Sequence, residues 1–321
     1  MSDLLPSADV VDCPPGQALA PVIEAYPARE AALPGGLVVR RALPRAGRRM
    51  VGPWCFLDHY GPLSFGAGKP MDIGPHPHIG LQTVTWLIEG EALHHDSLGH
   101  ERLIRPGQLN LMTAGSGISH AEETPSPSSG RLHGVQLWVA LPEGRRHGPP
   151  AFDHYAELPV AAIGSVRAAV LMGELAGARS PAATHSRMVG AEVVARDDGD
   201  ARVPLDPRFE HALVLIDGRA ALDERVLEPA TLYYLGAGRD ALSLSARAGS
   251  RLVLLGGEPF GEHIIMWWNF VARTPDEIAQ ARRGWEQGSG RFGSVPAYAG
   301  PRIPAPPLSL RVERPGADQP G

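Results

Sequence analysis

The chain has 321 residues, of which 43% are hydrophobic and 20% charged, so it is long enough to bury the cores of two globular domains. Its formal charge of −5 and its pI near 6.2 exclude the strongly basic surface that direct nucleic-acid binding requires, although five arginines cluster at positions 40, 41, 45, 48 and 49. No stretch approaches the roughly 18 apolar residues of a membrane-spanning helix, so we expect neither nucleic acid nor a membrane as a partner.

The two ends of the chain differ in composition from its middle. Residues 1–36 and 286–321 are rich in Pro, Gly and Ala, which predicts extended tails. The start, MSDLLPSADVVDCPPGQ, has no basic segment followed by an apolar core, so we expect a cytoplasmic protein. Cys13 and Cys55 are too few for a disulfide framework, which fits the same reducing compartment.

Short apolar alternations bounded by turn residues run through the middle of the chain. The 38 glycines and 32 prolines separate them, as such residues separate strands in β proteins. Strands are predicted at 82–89, 109–113, 134–141, 166–172, 211–216, 232–235 and 251–255. These strands predict an all-β fold.

One helix is predicted near the C-terminus, in TPDEIAQARRGWEQG. Thr274 can cap it, Pro275 suits its first position, and Glu277 completes a capping box. One face of this helix is expected to pack against the body of the protein; it consists of Ile278, Ala281, Arg282 and Trp285.

An internal repeat divides the all-β region in two. TWLIEGEALHHD (residues 85–96) resembles LVLIDGRAALDE (213–224), and RPGQLNLMTAG (105–115) resembles EPATLYYLGAG (228–238), in the same order. One unit of strands and turns that occurs twice predicts two similar β-barrels in tandem. We therefore predict four segments, which are an extended tail over 1–36, a barrel over 37–150, a second barrel with the helix over 151–285, and a C-terminal tail over 286–321.

Two pairs of possible metal ligands lie at strand spacing in the first barrel. In GPHPHIGLQTVTW, His76 and His78 are two residues apart, so on a strand both point the same way. His120 and Glu122 repeat this spacing in TAGSGISHAEET. Two neighbouring strands would thus present three imidazoles and one carboxylate, which suit one divalent transition metal with open positions for water or substrate. Iron(II) is compatible with this set, as are Mn, Ni, Cu and Zn.

An isolated pair of alternate histidines is more often structural than a metal site, so the second copy of the repeat serves as a control. At the offsets of the repeat, the four candidates align with Pro204, Asp206, Ser243 and Ser245. The turn glycines and apolar strands persist in that copy, whereas the histidines do not. Histidines that were needed for folding would have counterparts there, so the interpretation as metal ligands is favoured.

A second polar cluster, LHHDSLGHE, surrounds a predicted hairpin turn at 96–99, where polar side chains bond the backbone. We interpret its members as turn residues, with His94 as the one that could support a ligand. The cluster consists of His94, His95, Asp96 and His100.

Together, the longer motifs resemble those of one family. RALPRAGRRMVGPWCFLDHYGP, HPHIGLQTVTWLIEGEALHHDSLG, RPGQLNLMTAGSGISHAEE, LHGVQLWVALP and GGEPFGEHIIMWWNFVARTPDEIAQA are similar to stretches of pirin and its bacterial relatives in the cupin superfamily. The resemblance implies two tandem cupin (jelly-roll) barrels with one mononuclear metal, usually iron, in the first. The three histidines and one glutamate of the family pattern fall on His76, His78, His120 and Glu122.

The resemblance implies one of two functions. Members of this family are described as quercetin 2,3-dioxygenases, which cleave a flavonol ring with O₂ and release carbon monoxide, or as redox-responsive regulators that bind transcription factors or metabolic enzymes. For the enzyme, we expect quercetin or a related flavonol to chelate the metal, with Glu122 as both ligand and proton acceptor. For the alternative, a non-catalytic iron-dependent redox sensor, the basic segment 40–49 would contact the partner protein. We favour the enzyme and expect a monomer.

At three positions, this chain lacks a charged residue of the family pattern. The pattern has Arg and Glu where this chain has Ile79 and Gln82, and Arg where it has Ser116. The loss of two cations and one carboxylate predicts intact metal binding and a less polar pocket mouth. We expect apolar side chains to line that pocket, namely Val84, Trp86, Leu111, Met112 and Trp138.

Overall fold

Alternating apolar and polar residues form strands along most of the chain. The computed structural model describes residues 10–16, 20–66, 68–308 and 312–313. Its first half contains β1 (Val10–Cys13), β2 (Glu24–Pro27), β3 (Arg29–Ala32), a 3-10 turn (Pro34–Gly36), β4 (Val38–Leu43), β5 (Trp54–Ser64), β6 (Asp72–His78), β7 (Leu81–Gly90), β8 (Ala92–Asp96), β9 (Glu101–Ile104), β10 (Leu109–Thr113), β11 (Ile118–Glu123), β12 (Arg131–Ala140) and β13 (Ala151–Tyr155).

The second half repeats this all-β character and adds the helix. It contains β14 (Val160–Ile163), β15 (Val166–Leu175), β16 (Ala178–Arg179), β17 (Met188–Ala195), β18 (Gly199–Pro204), β19 (Glu210–Asp217), β20 (Ala220–Leu222), β21 (Arg225–Val226), β22 (Thr231–Gly236), β23 (Ala241–Ala246), β24 (Arg251–Gly257), β25 (Ile264–Trp267), β26 (Phe270–Ala272), α1 (Pro275–Glu286) and β27 (Val312–Glu313). Each of the seven predicted strands overlaps an observed one, so the all-β prediction is confirmed.

The two halves have the same strand topology. In the first barrel, a large sheet has the order β13-β10-β7-β12-β5-β4-β3 and a small sheet the order β6-β11-β8-β9. In the second barrel, the large sheet has the order β14-β15-β17-β24-β19-β22-β2 and the small sheet the order β18-β23-β20-β21. The repeat in the sequence therefore does correspond to two tandem cupin barrels.

Each large sheet ends on an edge strand from outside the residue range predicted for its barrel. Strand β2, which lies within the predicted N-terminal tail, pairs with β22 of the second barrel. Strand β13, which follows the predicted domain boundary at residue 150, pairs with β10 of the first barrel. The division into domains stays a prediction. These two pairings connect each barrel to a segment outside its predicted residue range.

A shared apolar core joins the barrels through their large sheets. It includes Leu57, Val84, Trp86, Leu111 and Val135 from the first barrel and Met172, Val214, Tyr234, Val253 and Leu255 from the second. Trp54 enters this core fully buried, and its Nε1 donates to the carbonyls of Val189 (3.1 Å) and Gly256 (3.2 Å) in the second barrel. Gly190 leaves the space for the indole, because a Cβ there would lie 2.5 Å from the Trp54 ring.

Helix α1 begins and packs as its sequence predicts. The Thr274 hydroxyl accepts from the Glu277 amide (3.3 Å), and Ile278, Ala281 and Trp285 are buried. Arg282 is half-buried and donates to the Pro306 carbonyl (2.8 Å). Within the described ranges, no helix has both the length and the apolar character needed to cross a membrane.

The segment that follows the helix returns to the first barrel. The Ile303 amide donates to the Pro75 carbonyl (2.8 Å), and the Ser119 hydroxyl donates to the Phe292 carbonyl (2.9 Å). Part of the predicted C-terminal tail therefore packs against β6 and β11, the strands that carry the candidate ligands.

Replacing Thr274 by alanine is expected to cost about 1 kcal/mol, because the helix loses a hydroxyl acceptor at its first turn. The expected readout is a lower midpoint of thermal unfolding, with Thr274→Ser close to the wild type. Equal midpoints for the alanine and serine variants would contradict a capping role for the hydroxyl.

Candidate metal centre

Strands β6 and β11 place three histidines on one side of the small sheet. The antiparallel ladder pairs His120 with His76 and Ile118 with His78. Because alternate residues of a strand share a face, His76 and His78 point the same way, and His120 faces them from the neighbouring strand. The side chains are buried, each with at most 2% of its surface exposed.

The three imidazoles converge on one point. One nitrogen of each lies within 4.8 Å of the others, and the Nε2 atoms of His78 and His120 are 3.1 Å apart. Two ligands at about 2.1 Å from a metal, at right angles to each other, would be about 3 Å apart, so this separation fits a shared ion. The histidine part of the predicted ligand set is therefore brought together.

Hydrogen bonds fix which nitrogen faces the centre. Nδ1 of His76 lies 2.9 Å from the Gly74 carbonyl, and Nδ1 of His78 lies 3.1 Å from the Asn269 carbonyl. A carbonyl oxygen only accepts, so both Nδ1 atoms carry the proton and both Nε2 atoms keep a free lone pair. The Nε2 atom of His76 is buried without a hydrogen-bond partner, as expected of a nitrogen that is arranged to bind a metal ion.

Burial keeps these imidazoles neutral. It lowers the pKa of His76 to about 3, and it lowers the pKa values of His78 and His120 well below the ordinary value, with the neighbouring histidines adding to the effect. Neutral imidazole is the form that binds a metal, so the donor set fits a divalent transition metal at neutral pH.

Glu122, the predicted fourth ligand, lies near the triad but outside the group of ligand atoms within 4.8 Å. It is opposite His94 in the β8 ladder, and the pairing of β11 with β6 shifts between His120 and Glu122. Its side chain is buried, Oε2 has no hydrogen-bond partner, and burial raises its pKa.

The inner wall of the first barrel is more polar than the sequence suggested. Thr85 lies opposite both Gln136 and Asn110 in the large sheet, and its hydroxyl donates to Gln136 Oε1 (3.0 Å). These residues alternate with Val84, Trp86 and Leu111, which belong to the core between the barrels. The prediction that Val84, Trp86 and Leu111 line the pocket was wrong. Their strands are covered on both faces, and the face that carries these three side chains packs against the second barrel.

Aromatic side chains flank the triad. Trp138, one of the predicted pocket residues, stacks on Phe56 (centroids 4.0 Å apart) and meets the His78 ring edge-on at 5.3 Å. Its partner in the ladder, Thr83, also pairs with Met112, so these side chains share the inner face. The predictions for Met112 and Trp138 therefore agree with their position in the sheet.

The second barrel has no equivalent centre in the part of the chain that the structure describes. Its interior is filled by an apolar core that includes Val203, Leu242 and Leu244, with Val203 opposite Leu242 in the β18–β23 ladder. Ser243 and Ser245, which the repeat aligned with His120 and Glu122, are exposed. The alignment was therefore shifted relative to the inward face.

The residues at the positions that depart from the family pattern make structural contacts. Gln82 is buried, and its Nε2 donates to Thr113 (3.0 Å) and to the Ala183 carbonyl (3.3 Å) of the other half. Ile79 is buried and bridges to Phe270. The Ser116 carbonyl accepts from Arg291 (2.7 Å) of the C-terminal segment, so an arginine from elsewhere in the chain lies at that position.

The basic segment 40–49 does not form an exposed patch. Arg41 is buried in a bidentate pair with Asp58 (2.8 Å for each contact), and Arg48 lies over the Tyr234 ring. Its five arginines are all buried or half-buried. The contact of this segment with a partner protein stays a prediction.

Comparisons with known proteins give one consistent result. The Pirin family model matches residues 36–139, and a model described as the pirin C-terminal cupin domain matches residues 191–293. A protein from Pseudomonas aeruginosa that is named as a candidate quercetin 2,3-dioxygenase is 47% identical over 292 residues, covering 91% of this chain and 92% of the relative. A pirin-like protein from Caulobacter vibrioides is 40% identical over 261 residues, covering 79% of this chain and 90% of the relative.

A solved structure is similarly close. The crystal structure described as quercetin 2,3-dioxygenase from Acinetobacter baumannii superposes with a TM-score of 0.88 at 45% sequence identity. It covers 91% of this chain and 97% of the other chain.

Proposed function

Because this chain belongs to the pirin family, we propose that it is a metal-dependent dioxygenase that opens the ring of quercetin or a related flavonol with O₂. The observation that carries the proposal is the buried triad of His76, His78 and His120, which fits one divalent ion. The names of the similar proteins from Pseudomonas aeruginosa and Acinetobacter baumannii support the choice of reaction and substrate.

The ligands that we assign to the ion are the Nε2 atoms of the three histidines together with the Glu122 carboxylate. We propose Fe(II) as the native metal, with Mn, Ni, Cu and Zn as the alternatives that the same donor types accept. When bound, such an ion would polarise the adjacent hydroxyl and carbonyl oxygens of the flavonol.

The chain itself would supply a proton acceptor and a wall for the planar substrate. Glu122 has a buried carboxyl with one oxygen unpartnered, so it is the group assigned to take the proton from the flavonol hydroxyl. The stacked rings of Phe56 and Trp138 beside His78 provide an aromatic surface against which a flavonol can lie. The buried position of both features keeps water away from the reacting ring.

We place the protein in the cytoplasm. Among the described residues, Cys13 and Cys55 are both free and buried; burial raises the pKa of the Cys13 thiol to about 12, and it also raises the pKa of the Cys55 thiol. Such thiols are unreactive and suit a reducing compartment.

The test is anaerobic loading with Fe(II), followed by quercetin and then air. The expected result is loss of the flavonol absorbance with release of carbon monoxide. Glu122→Gln is expected to lower kcat by about 100-fold or more, because the amide keeps an oxygen ligand but cannot accept the proton. A Glu122→Gln variant with wild-type kcat would remove the glutamate from the mechanism.

A wild-type protein that binds metal but does not consume quercetin with Fe, Mn, Ni, Cu or Zn would contradict the enzymatic proposal. The redox-sensor alternative would then be tested by capturing lysate proteins on the oxidised and on the reduced protein. Identical captured sets would count against the sensor as well.

A further inference from the structure

In each imidazole of the triad, Nδ1 contacts another polar group. For two of the histidines this group is a backbone carbonyl, and for the third it is a side chain. The Gly74 and Asn269 carbonyls hold His76 and His78. For His120, the contact of Nδ1 is with Nδ1 of His94, at 3.4 Å. A backbone carbonyl can only accept, whereas an imidazole nitrogen can donate or accept, so the state of His120 depends on the tautomer of His94.

Asp96 fixes that tautomer. Nε2 of His94 lies 3.1 Å from Oδ2 of Asp96, and the Asp96 side chain is fully buried. A carboxylate only accepts, so His94 carries its proton on Nε2 and presents a lone pair at Nδ1. That lone pair accepts the Nδ1 proton of His120, which leaves the Nε2 lone pair of His120 facing the metal centre.

The surroundings hold both groups in place. The Asp96 carboxylate also accepts from the amides of Leu98 (2.9 Å) and His100 (3.0 Å) and from Nδ1 of His100 (3.0 Å). The His94 ring stacks on Phe152, with centroids 4.3 Å apart and planes 14° from parallel. The turn interpretation of Asp96 and His100 is thus confirmed, but the same carboxylate also reaches inward to His94.

We propose that His94 and Asp96 are positioning residues that select the tautomer of His120 able to bind the metal through Nε2. This inference rests on the proposed metal centre. Mutation of a residue that hydrogen-bonds to a metal ligand typically changes metal affinity by about 10- to 100-fold.

Asp96→Asn is the sharpest variant. The amide oxygen can still accept from the Leu98 and His100 amides, so the turn is kept. Its NH₂ group would donate to Nε2 of His94, which moves the His94 proton to Nδ1 and forces the His120 proton onto Nε2.

His94→Phe removes the contact with His120 while it keeps a ring against Phe152, whereas His94→Gln keeps an oxygen that can accept from His120.

The experiment measures Co(II) affinity of the full chain by competition with a chelator and follows the Co(II) absorption spectrum. Asp96→Asn and His94→Phe are expected to weaken Co(II) binding by about 10- to 100-fold and to change the spectrum, with His94→Gln close to the wild type. The matched control is His95→Phe. His95 lies on the same strand but contacts Glu123 (3.0 Å) and Glu101 (3.4 Å) instead of the triad.

A second readout does not depend on metal. In the metal-free chain, ¹H–¹⁵N correlation through the imidazole ring reports the tautomer of His120, which we expect to be Nδ1–H in the wild type and Nε2–H in Asp96→Asn. Unchanged Co(II) affinity in Asp96→Asn, or an unchanged His120 tautomer, would overturn the inference. A wild type that takes up no Co(II) at all would instead overturn the metal centre, so the two failures are distinguishable.

Discussion

Replacement of His76 by alanine is expected to reduce the metal content of the purified, metal-loaded chain from about one ion to almost none after dialysis. The proposed site loses one of its four donors, and the remaining two imidazoles and one carboxylate are expected to hold the ion too weakly to survive dialysis. His78→Ala and His120→Ala should behave in the same way, because the three nitrogens lie within 4.8 Å of one another. The measurement is the metal-to-protein ratio by elemental analysis.

The matched control is His211→Leu. His211 is also a fully buried histidine, but it lies in the second barrel, on the edge of a cavity of about 780 Å³ that is separate from the triad. We expect it to retain the wild-type metal content. Full metal content in His76→Ala, or equal loss in His211→Leu, would contradict the assignment of the triad.

Replacement of Trp54 by alanine is expected to lower the free energy of unfolding by about 3–5 kcal/mol. The indole is fully buried where the large sheets meet, and its removal leaves a cavity in the core that joins the barrels. It also leaves the Val189 and Gly256 carbonyls without the Nε1 donor. The measurement is the urea midpoint, followed separately by tryptophan fluorescence and by far-ultraviolet circular dichroism.

Trp54→Phe separates packing from hydrogen bonding. It keeps most of the apolar contact but removes the donor, so we expect a smaller loss of about 1–3 kcal/mol. An alanine variant no less stable than the phenylalanine variant would show that the indole does not hold the barrels together.

The triad was predictable from the sequence because most of its arrangement depends on local geometry. His76 and His78 share a face whatever the rest of the fold does, and the same rule applies within β11. Only the pairing of the two strands had to be assumed, and the ladder between His76 and His120 supports it. The helix was predictable for the same reason, since Thr274 and Pro275 act within one turn.

The lining of the barrel was not predictable, because alternation does not reveal which face of a strand meets the lumen. In β7, Val84 and Trp86 alternate with Thr85, and a sheet with one buried face would place the apolar residues inside. Here the second barrel covers the outer face, so the apolar residues lie between the barrels and Thr85 faces inward.

Contacts between distant parts of the chain also left no local signal. The carbonyl that holds His78 belongs to Asn269, 191 residues away. His94 and Asp96 did leave a local signal in the sequence. They have the same alternate spacing as the ligand pairs, and they lie on a strand that pairs with β11. The turn interpretation accounted for Asp96 and concealed its second contact.

We propose that one metal ion lies between His76, His78 and His120. The most direct measurement is anomalous X-ray diffraction at the absorption edge of the metal, from crystals of the metal-loaded chain. The prediction is one peak per chain, within about 2.1 Å of the Nε2 atom of each histidine. A peak elsewhere in the chain, or no peak from crystals soaked to saturation, would contradict it.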